Sequence, residues 1–242
     1  MLTDLHLDHV LIAVRDLEQA SAHYANLGFT LTPLGVHPGR GTHNRLVLLT
    51  AAYLELISVR DPAEAEAHRP DLLSFLRSRE GLYRFALGTG DIEAAVASIR
   101  ARGLPVGEPL AGARQGTEDA RGYTWRFATI PSRSLPGAEV FLIEHDLTMV
   151  ERYQALAHAN RHLNGTLGID RLAIAVCDAE RAAARWQALL GLNAGPVFSG
   201  GSTAGKCQGV SLQLRNCQLE FVSPLGVGRV SRFLDRSGEG LY

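Results

Sequence analysis

Lysine is all but missing from this 242-residue chain: Lys206 stands alone, and arginine supplies the rest of the positive charge. No basic block occurs, and 24 Lys+Arg against 25 Asp+Glu leave a formal charge of −1. Nucleic acid and anionic membrane surfaces are bound through clustered cations, so neither is an expected partner. Cysteine is sparse as well. Cys177, Cys207 and Cys217 form no CxxC pair, and so thin and odd a set suits the reduced thiols of a cytoplasmic protein. Long apolar runs are also lacking. Leu46–Ile57 is interrupted by Thr50 and Glu55 and is too short to cross a bilayer. Asp4, His6, Asp8 and His9 leave the N-terminus without the apolar core of a secretory signal. These absences predict a soluble, cytoplasmic protein.

What is present is a repeat. Leu7–Val14, LDHVLIAV, alternates with the strand period, placing Leu7, His9, Leu11 and Ala13 on one face. Asp16 is a candidate N-cap for a helix whose apolar stripe ends at Gly28. Phe29–Thr32 reads as a strand, Pro33–Asn44 as a turn-rich loop, and Arg45–Thr50 and Tyr53–Val59 as two more strands. The unit is β-α-β-β-β. A helical stretch, Asp71–Arg79, leads to a second copy with strand Leu82–Thr89, helix Asp91–Arg102, a long loop Gly107–Gly122, and strands Tyr123–Thr129 and Glu139–His145. Thr148–Leu163 reads as a linker helix. A third copy starts at Ile169 with helix Ala179–Leu190, and VSRFLDRSGEGLY (Val230–Tyr242) repeats LSFLRSREGLY (Leu73–Tyr83). Such self-similarity defines the organisation: a first domain at 1–146 (modules 1–60 and 80–146), a linker at 147–167, and at 168–242 a third module with the start of an absent fourth. A lone module leaves an open sheet edge, so it is expected to pair with another chain as a homodimer or to pack on the first domain.

The stretches LDHVLIAV-D (Leu7–Asp16), YANLGF (Tyr24–Phe29) and YLELISV (Tyr53–Val59), echoed by GIDRLAIAVCD and CQLEFVSP, resemble the vicinal-oxygen-chelate superfamily. That group contains glyoxalase, extradiol dioxygenases, bleomycin-resistance proteins and methylmalonyl-CoA epimerase. HPGRGTHNRLVLL with YLELI resembles its glyoxalase-like branch. The resemblance implies an α+β fold in which two adjacent modules curl into a half-open barrel. It also implies a divalent metal in the concavity, held from the first and last strands of each module. Carried over by position, the sites are His9 and Glu55, then Arg84 and Glu144, and in the third module Arg171 and Glu220.

The residue types sharpen and complicate this. Imidazole with two carboxylates suits zinc, iron, manganese or nickel, so His9, Glu55 and Glu144 form the candidate metal set, Glu144 doubling as the proton-moving group. His9 and Glu55 equally suit a plain hydrogen-bonded pair. A guanidinium cannot ligate and repels a cation, so Arg84–Glu144 and Arg171–Glu220 also read as cross-strand ion pairs. Arg84 is then a candidate anchor for a substrate carboxylate or phosphate. In the resembling branch the loop Val36–Asn44 rims the concavity, which makes His37, Thr42 and Asn44 candidate substrate-binding residues, although the loop equally suits an ordinary turn. Trp125, alternating with Arg126 on its strand, is a further candidate or plain core. The loop holding Arg114, Glu118, Asp119 and Arg121 is long enough for a lid. Gly200–Cys207, GGSTAGKC, falls short of a phosphate-binding loop, because Cys207 replaces the hydroxyl and a strand-like segment follows. No nucleotide is expected. The expected function is binding or transforming a small polar organic molecule in the first domain, with or without a divalent metal, by lyase, isomerase or dioxygenase chemistry. The alternative is a metal-free, drug-sequestering protein.

Overall fold

The computed structural model of the chain describes residues 4–116, 122–148, 151, 160–202 and 205–242. The fold is α+β and runs through three β-α-β-β-β units. The first has β1 (His6–Ala13), α1 (Leu17–Asn26), β2 (Gly35–His37), β3 (Thr42–Leu48) and β4 (Tyr53–Val59). Helices α2 (Pro62–His68) and α3 (Pro70–Ser78) lead to β5 (Gly81–Gly88), α4 (Ile92–Ala101), β6 (Leu110–Gly116), β7 (Tyr123–Thr129) and β8 (Val140–His145). The third unit has β9 (Arg171–Ala175), α5 (Ala179–Leu190), β10 (Asn193–Ser202), β11 (Gly205–Gln213) and β12 (Gln218–Pro224). After it come α6 (Arg229–Ser237) and the two-residue strand β13 (Gly240–Leu241). The helix after each unit's first strand starts at an aspartate. The side chains of Asp16, Asp91 and Asp178 accept from the N–H of Gln19, Ala94 and Arg181, a cap worth about 1 kcal/mol. No helix among the described residues is long and apolar enough to cross a membrane.

The first two units form a closed barrel in the order β1-β4-β3-β2-β6-β7-β8-β5. They meet antiparallel at β1–β5 and again at β2–β6. The second seam depends on Gly35, since a Cβ there would occupy the place of the Arg114 guanidinium. Several boundaries differ from the sequence reading. Phe29–Thr32 is not a strand. The turn-rich stretch after it contains β2 and the start of β3, and Leu110–Gly116 of the supposed long loop is β6. Glu118, Asp119 and Arg121 of the expected lid lie outside the described residues, as does most of the expected linker helix.

Strict alternation puts Leu7 on the same face as His9, and the structure separates them. Between Leu7 and His9 the β1–β5 register slips by one residue, leaving Asp8 as a bulge. Leu7 and Val10 face the outer core, whereas Leu11 and Ala13 face inward with Ile57. Helix α3 closes one end of the barrel, packing Leu72 and Leu76 on those inward residues and on Tyr83.

The third unit forms an open sheet, β10-β11-β12-β9-β13. Its β9 pairs parallel with β12 and antiparallel with β13, as β1 does with β4 and β5. The back of this sheet rests on the barrel. Trp186 of α5 stacks on Phe85 of β5 with ring centroids 5.8 Å apart, and one apolar cluster runs through both. Asn216 fastens the contact, bonding the Leu7 N–H and C=O and the Ala51 C=O at 2.8, 2.9 and 2.8 Å. Packing on the first domain was one of the two arrangements open to a lone module. On either side of the near-phosphate-loop segment's undescribed residues, Gly200–Ser202 of β10 pair with Gly205–Cys207 of β11.

Candidate active site

Two related bulges furnish the barrel lumen. On β1 the register slip at Asp8 turns Asp8 and His9 inward together; on β5 a matching slip skips Tyr83, so that Leu11 faces Arg84 and Ile12 faces Leu82. A bulge re-aims side chains in this way because it breaks the two-residue alternation. His9 and Asp8 are 3% and 1% exposed, so their charges must be met by partners. The His9 Nδ1–H donates to Asp8 Oδ1 at 2.7 Å, and His145 Nε2–H donates to the same oxygen at 3.1 Å. The other nitrogen of His9, Nε2, faces Glu55 Oε2 at 3.4 Å. The His9 ring is held flat on Tyr53, with centroids 4.5 Å apart, and edge-on to Phe141.

Glu55 sits on β4 and is held from behind. Asn44 Nδ2 donates to Glu55 Oε1 at 2.7 Å and to His37 Nε2 at 3.2 Å, and Arg114 Nε donates to Asn44 Oδ1 at 2.8 Å. With Nε2 accepting, His37 Nδ1 carries the proton and donates to Thr42 Oγ1 at 2.8 Å. Thr42 and Asn44 are therefore buried supports of His37 and Glu55 and do not line the cavity; the sequence reading had them touching substrate. His37, Trp125 and Arg84 do line it.

The network fixes the charges. Burial works to raise the Glu55 carboxyl, but His9, His37 and Asn44 together bring it down to about 2. Burial likewise opposes ionisation of Asp8, yet His145 and His9 hold it well below the usual carboxylate range. For His9 burial disfavours the charge, and Asp8 and Glu55 more than offset it, raising its pKa. His37 behaves oppositely. Burial lowers it to about 4, with Arg69, Arg114 and Arg40 adding to the effect against Glu55. The site thus presents a proton-holding imidazole, an ionised carboxylate and a neutral imidazole.

These groups open on a cavity of about 360 Å³. Trp125, Phe127, Phe141 and Ile143 make an apolar wall, and Arg40, Arg69 and Arg84 bring cations to it. Arg84 is bonded to Asp71, at the first turn of α3, and to the Tyr83 hydroxyl. Its expected cross-strand partner, Glu144, lies elsewhere. Glu144 stands opposite Arg126 and within 3.7 Å of it, and Arg126 also meets Glu93 of α4. Glu144 is not brought together with His9 and Glu55, so neither the ligand role nor the proton-moving role fits it. In the third unit the expected Arg171–Glu220 pair is present at 3.2 Å.

Register explains the misplacement and tests the metal. Glu55 is level with Leu11, two residues beyond His9. The residue level with Ala86, two beyond Arg84, is Phe141. The second module therefore offers a guanidinium and a phenyl ring where a second pair of ligands is needed, and neither can ligate. Among the described residues no three His, Cys, Asp or Glu are grouped to hold a metal ion. Asp8 orients His9 as a carboxylate orients a ligating imidazole, but the donor set stops at half. The residues present do not fit the metal.

Asp8, His145, Arg40 and Arg69 are the site residues that sequence reasoning missed. The signal for Asp8 was available, because two consecutive polar residues within an apolar alternating strand mark a bulge.

A family model described as a glyoxalase-like domain matches residues 7–190. Among solved structures, a hypothetical protein from Staphylococcus aureus is similar at 17% identity and TM-score 0.73, covering 93% of this chain and 87% of its own. A mutant of 4-hydroxymandelate synthase from Streptomyces coelicolor is similar at 14% identity and TM-score 0.66, covering 99% of this chain and 69% of its own. At these identities the likeness is one of fold. No curated protein matches the chain.

Proposed function

We propose that this chain, which belongs to the glyoxalase-like domain family of the vicinal-oxygen-chelate superfamily, binds a small organic molecule in its barrel lumen and moves a proton on it. The observation that supports this is the buried Asp8–His9–Glu55 series, with one imidazole nitrogen locked by Asp8 and the other turned to Glu55 and the cavity. Buried ionisable groups are costly to keep and gather where chemistry needs them.

In this reading Glu55 takes a proton from a carbon next to a carbonyl. The electron pair moves onto the carbonyl oxygen, which is met by the His9 N–H and by Arg84, donors fixed in place before the charge develops. Return of the proton to the opposite face of the same carbon, or to a neighbouring carbon, gives an isomer. In the free protein Glu55, at about 2, is a weak base. A bound anion cancels part of the positive field that holds it there, and so brings its basicity towards the working range.

The test is deuterium incorporation in heavy water, followed by NMR on a panel of 2-oxo acids and simple ketones. Wild-type protein is expected to catalyse exchange, and Glu55→Gln to lower the rate by roughly 10²–10⁴-fold. Exchange that Glu55→Gln leaves unchanged, or ligands that bind without any exchange, would replace this reading with a binding-only protein. Elemental analysis of chelator-free protein accompanies it. Stoichiometric zinc, manganese, nickel or iron that disappears in His9→Ala would replace it with a metal-centred mechanism.

A further inference from the structure

We infer that the ligand of this cavity is a small organic oxyanion with an apolar body, a carboxylate or a phosphate ester, and that Arg40, Arg69 and Arg84 clamp its anionic end. The inference rests on the lumen being a ligand site, as read above, and names the class of molecule it takes.

Arg40 carries the argument furthest. It sits in the β2–β3 turn between Gly39 and Gly41, whose φ values of 67° and 65° are glycine conformations. Gly41 lies directly against the Asp61 carbonyl and Ala65 amide of α2, where no side chain would fit, and its N–H donates to Glu64 at 3.0 Å. The same helix ends at His68, so one contact fastens the turn that bears Arg40 to the helix that delivers Arg69. Arg40 therefore reaches the cavity from a fixed base rather than from a floppy loop.

Its guanidinium lies on the Phe127 ring, 4.7 Å from the centroid. Among the described residues no carboxylate comes within ion-pair distance of it, and burial together with the nearby charge of Arg69 disfavours its ionised form. Among the described residues Arg69 has a single carboxylate, Asp71, at 3.7 Å. Asp71 is already bonded by Arg84 and by the Tyr83 hydroxyl. Among the described residues the three guanidinia thus have one carboxylate between them, paired with Arg69 and Arg84 and leaving Arg40 without one. Glu55 is engaged by Asn44 and His9, and Glu139, which also lines the cavity, makes no ion pair with any of the three. A half-buried cation without a counter-ion, beside two like charges that share one, is unfavourable until an anion enters. Guanidinium forks suit planar or tetrahedral oxyanions.

The other wall sets the rest of the ligand. Trp125, Phe127, Phe141 and Ile143 offer aromatic and aliphatic surface to a body without charge, and a cavity of about 360 Å³ restricts it to a small one.

The experiment is calorimetric titration of the full chain with phenylacetate, phenyl phosphate and the neutral amide phenylacetamide. One of the two anions is expected to bind at millimolar concentration, the amide roughly tenfold more weakly or worse, and added salt to weaken only the anions. The tighter anion identifies the headgroup. Arg40→Gln and, independently, Arg69→Gln are expected to lower anion affinity roughly tenfold while leaving the amide unchanged, with circular dichroism confirming that each variant is folded. An amide that binds as well as the acid, anion affinity unmoved in both variants, or no binding by either anion would overturn the clamp. The two readings fail separately. Arginine-dependent anion binding without proton exchange removes only the proton transfer, and exchange on simple ketones with no preference for acids removes only the clamp.

Discussion

His37 is a histidine kept neutral by its surroundings, and that makes it a residue through which pH acts on stability. Its pKa falls from 6.5 to about 4, chiefly through burial. Between those values the unfolded chain binds a proton at this residue and the folded chain does not. Stability therefore falls as pH drops from about 6.5 to about 4, by on the order of 3 kcal/mol from this group. Glu55, lowered from 4.5 to about 2, works in the same direction at lower pH: its contribution is complete above 4.5 and is lost as pH falls towards 2. Urea unfolding at pH 7 and pH 4.5 measures the effect. His37→Asn is expected to be less stable than wild type at pH 7 but to lose markedly less between the two pH values. An equal loss in both proteins would show that His37 is not the titrating group. At this scale His9 and Glu55 were legible from their positions in an apolar pattern, and His37 from the resemblance that places its loop at the rim of the concavity. For Asp8 the sequence signals a bulge but not its inward turn, which depends on the β5 strand it fails to pair with, and Phe141 was not legible, because register rather than residue type makes it the counterpart of Glu55.

Among the elements, helices were the easiest to read and short strands the hardest. The Asp16, Asp91 and Asp178 caps act through local bonds to the residues just after them, so the sequence nearby carries the whole signal. Strand β2 has three residues and owes its existence to partners on both sides, β3 and β6. Nothing within Gly35–His37 announces them. The Gly39–Gly41 turn shows the same division. Both glycines have positive φ, but a Cβ at Gly39 meets nothing within 4 Å, whereas one at Gly41 runs into the backbone of α2. Gly39→Ala is expected to destabilise by about 1 kcal/mol from backbone strain alone. Gly41→Ala is expected to cost clearly more, on the order of 2–3 kcal/mol, since strain and collision add. Denaturant midpoints of the two variants decide it, and equal losses would mean that the turn is not seated on α2.

For the whole molecule, the repeat gave the sequence its clearest long-range message: three related units, with the helix–strand ending of the first reproduced as α6 and β13. Missing from that message was which face of the third unit meets the barrel, because that depends on apolar residues far apart in the chain. Phe85 and Leu87 of β5, Ile92 and Ile99 of α4, Trp186 of α5 and Phe221 of β12 belong to one buried cluster. Trp186 is fully buried at its centre, stacked on Phe85, tilted against Phe221, and bonded through Nε1–H to the Pro136 carbonyl at 2.9 Å. A core continuous across two sheets couples their unfolding, so the wild-type chain is expected to lose both sheets in one cooperative transition. Trp186→Ala removes the shared side chain and leaves both a cavity and an unbonded carbonyl, a loss of about 3–5 kcal/mol. Most of that loss falls on the junction, since the barrel keeps its own closed ladder of strands while the third unit's sheet is open. The variant is therefore expected to unfold in two steps, the third unit first. Hydrogen exchange read by mass spectrometry distinguishes the outcomes: early loss of protection confined to residues 171–224 supports the coupling, and uniform loss across the chain refutes it.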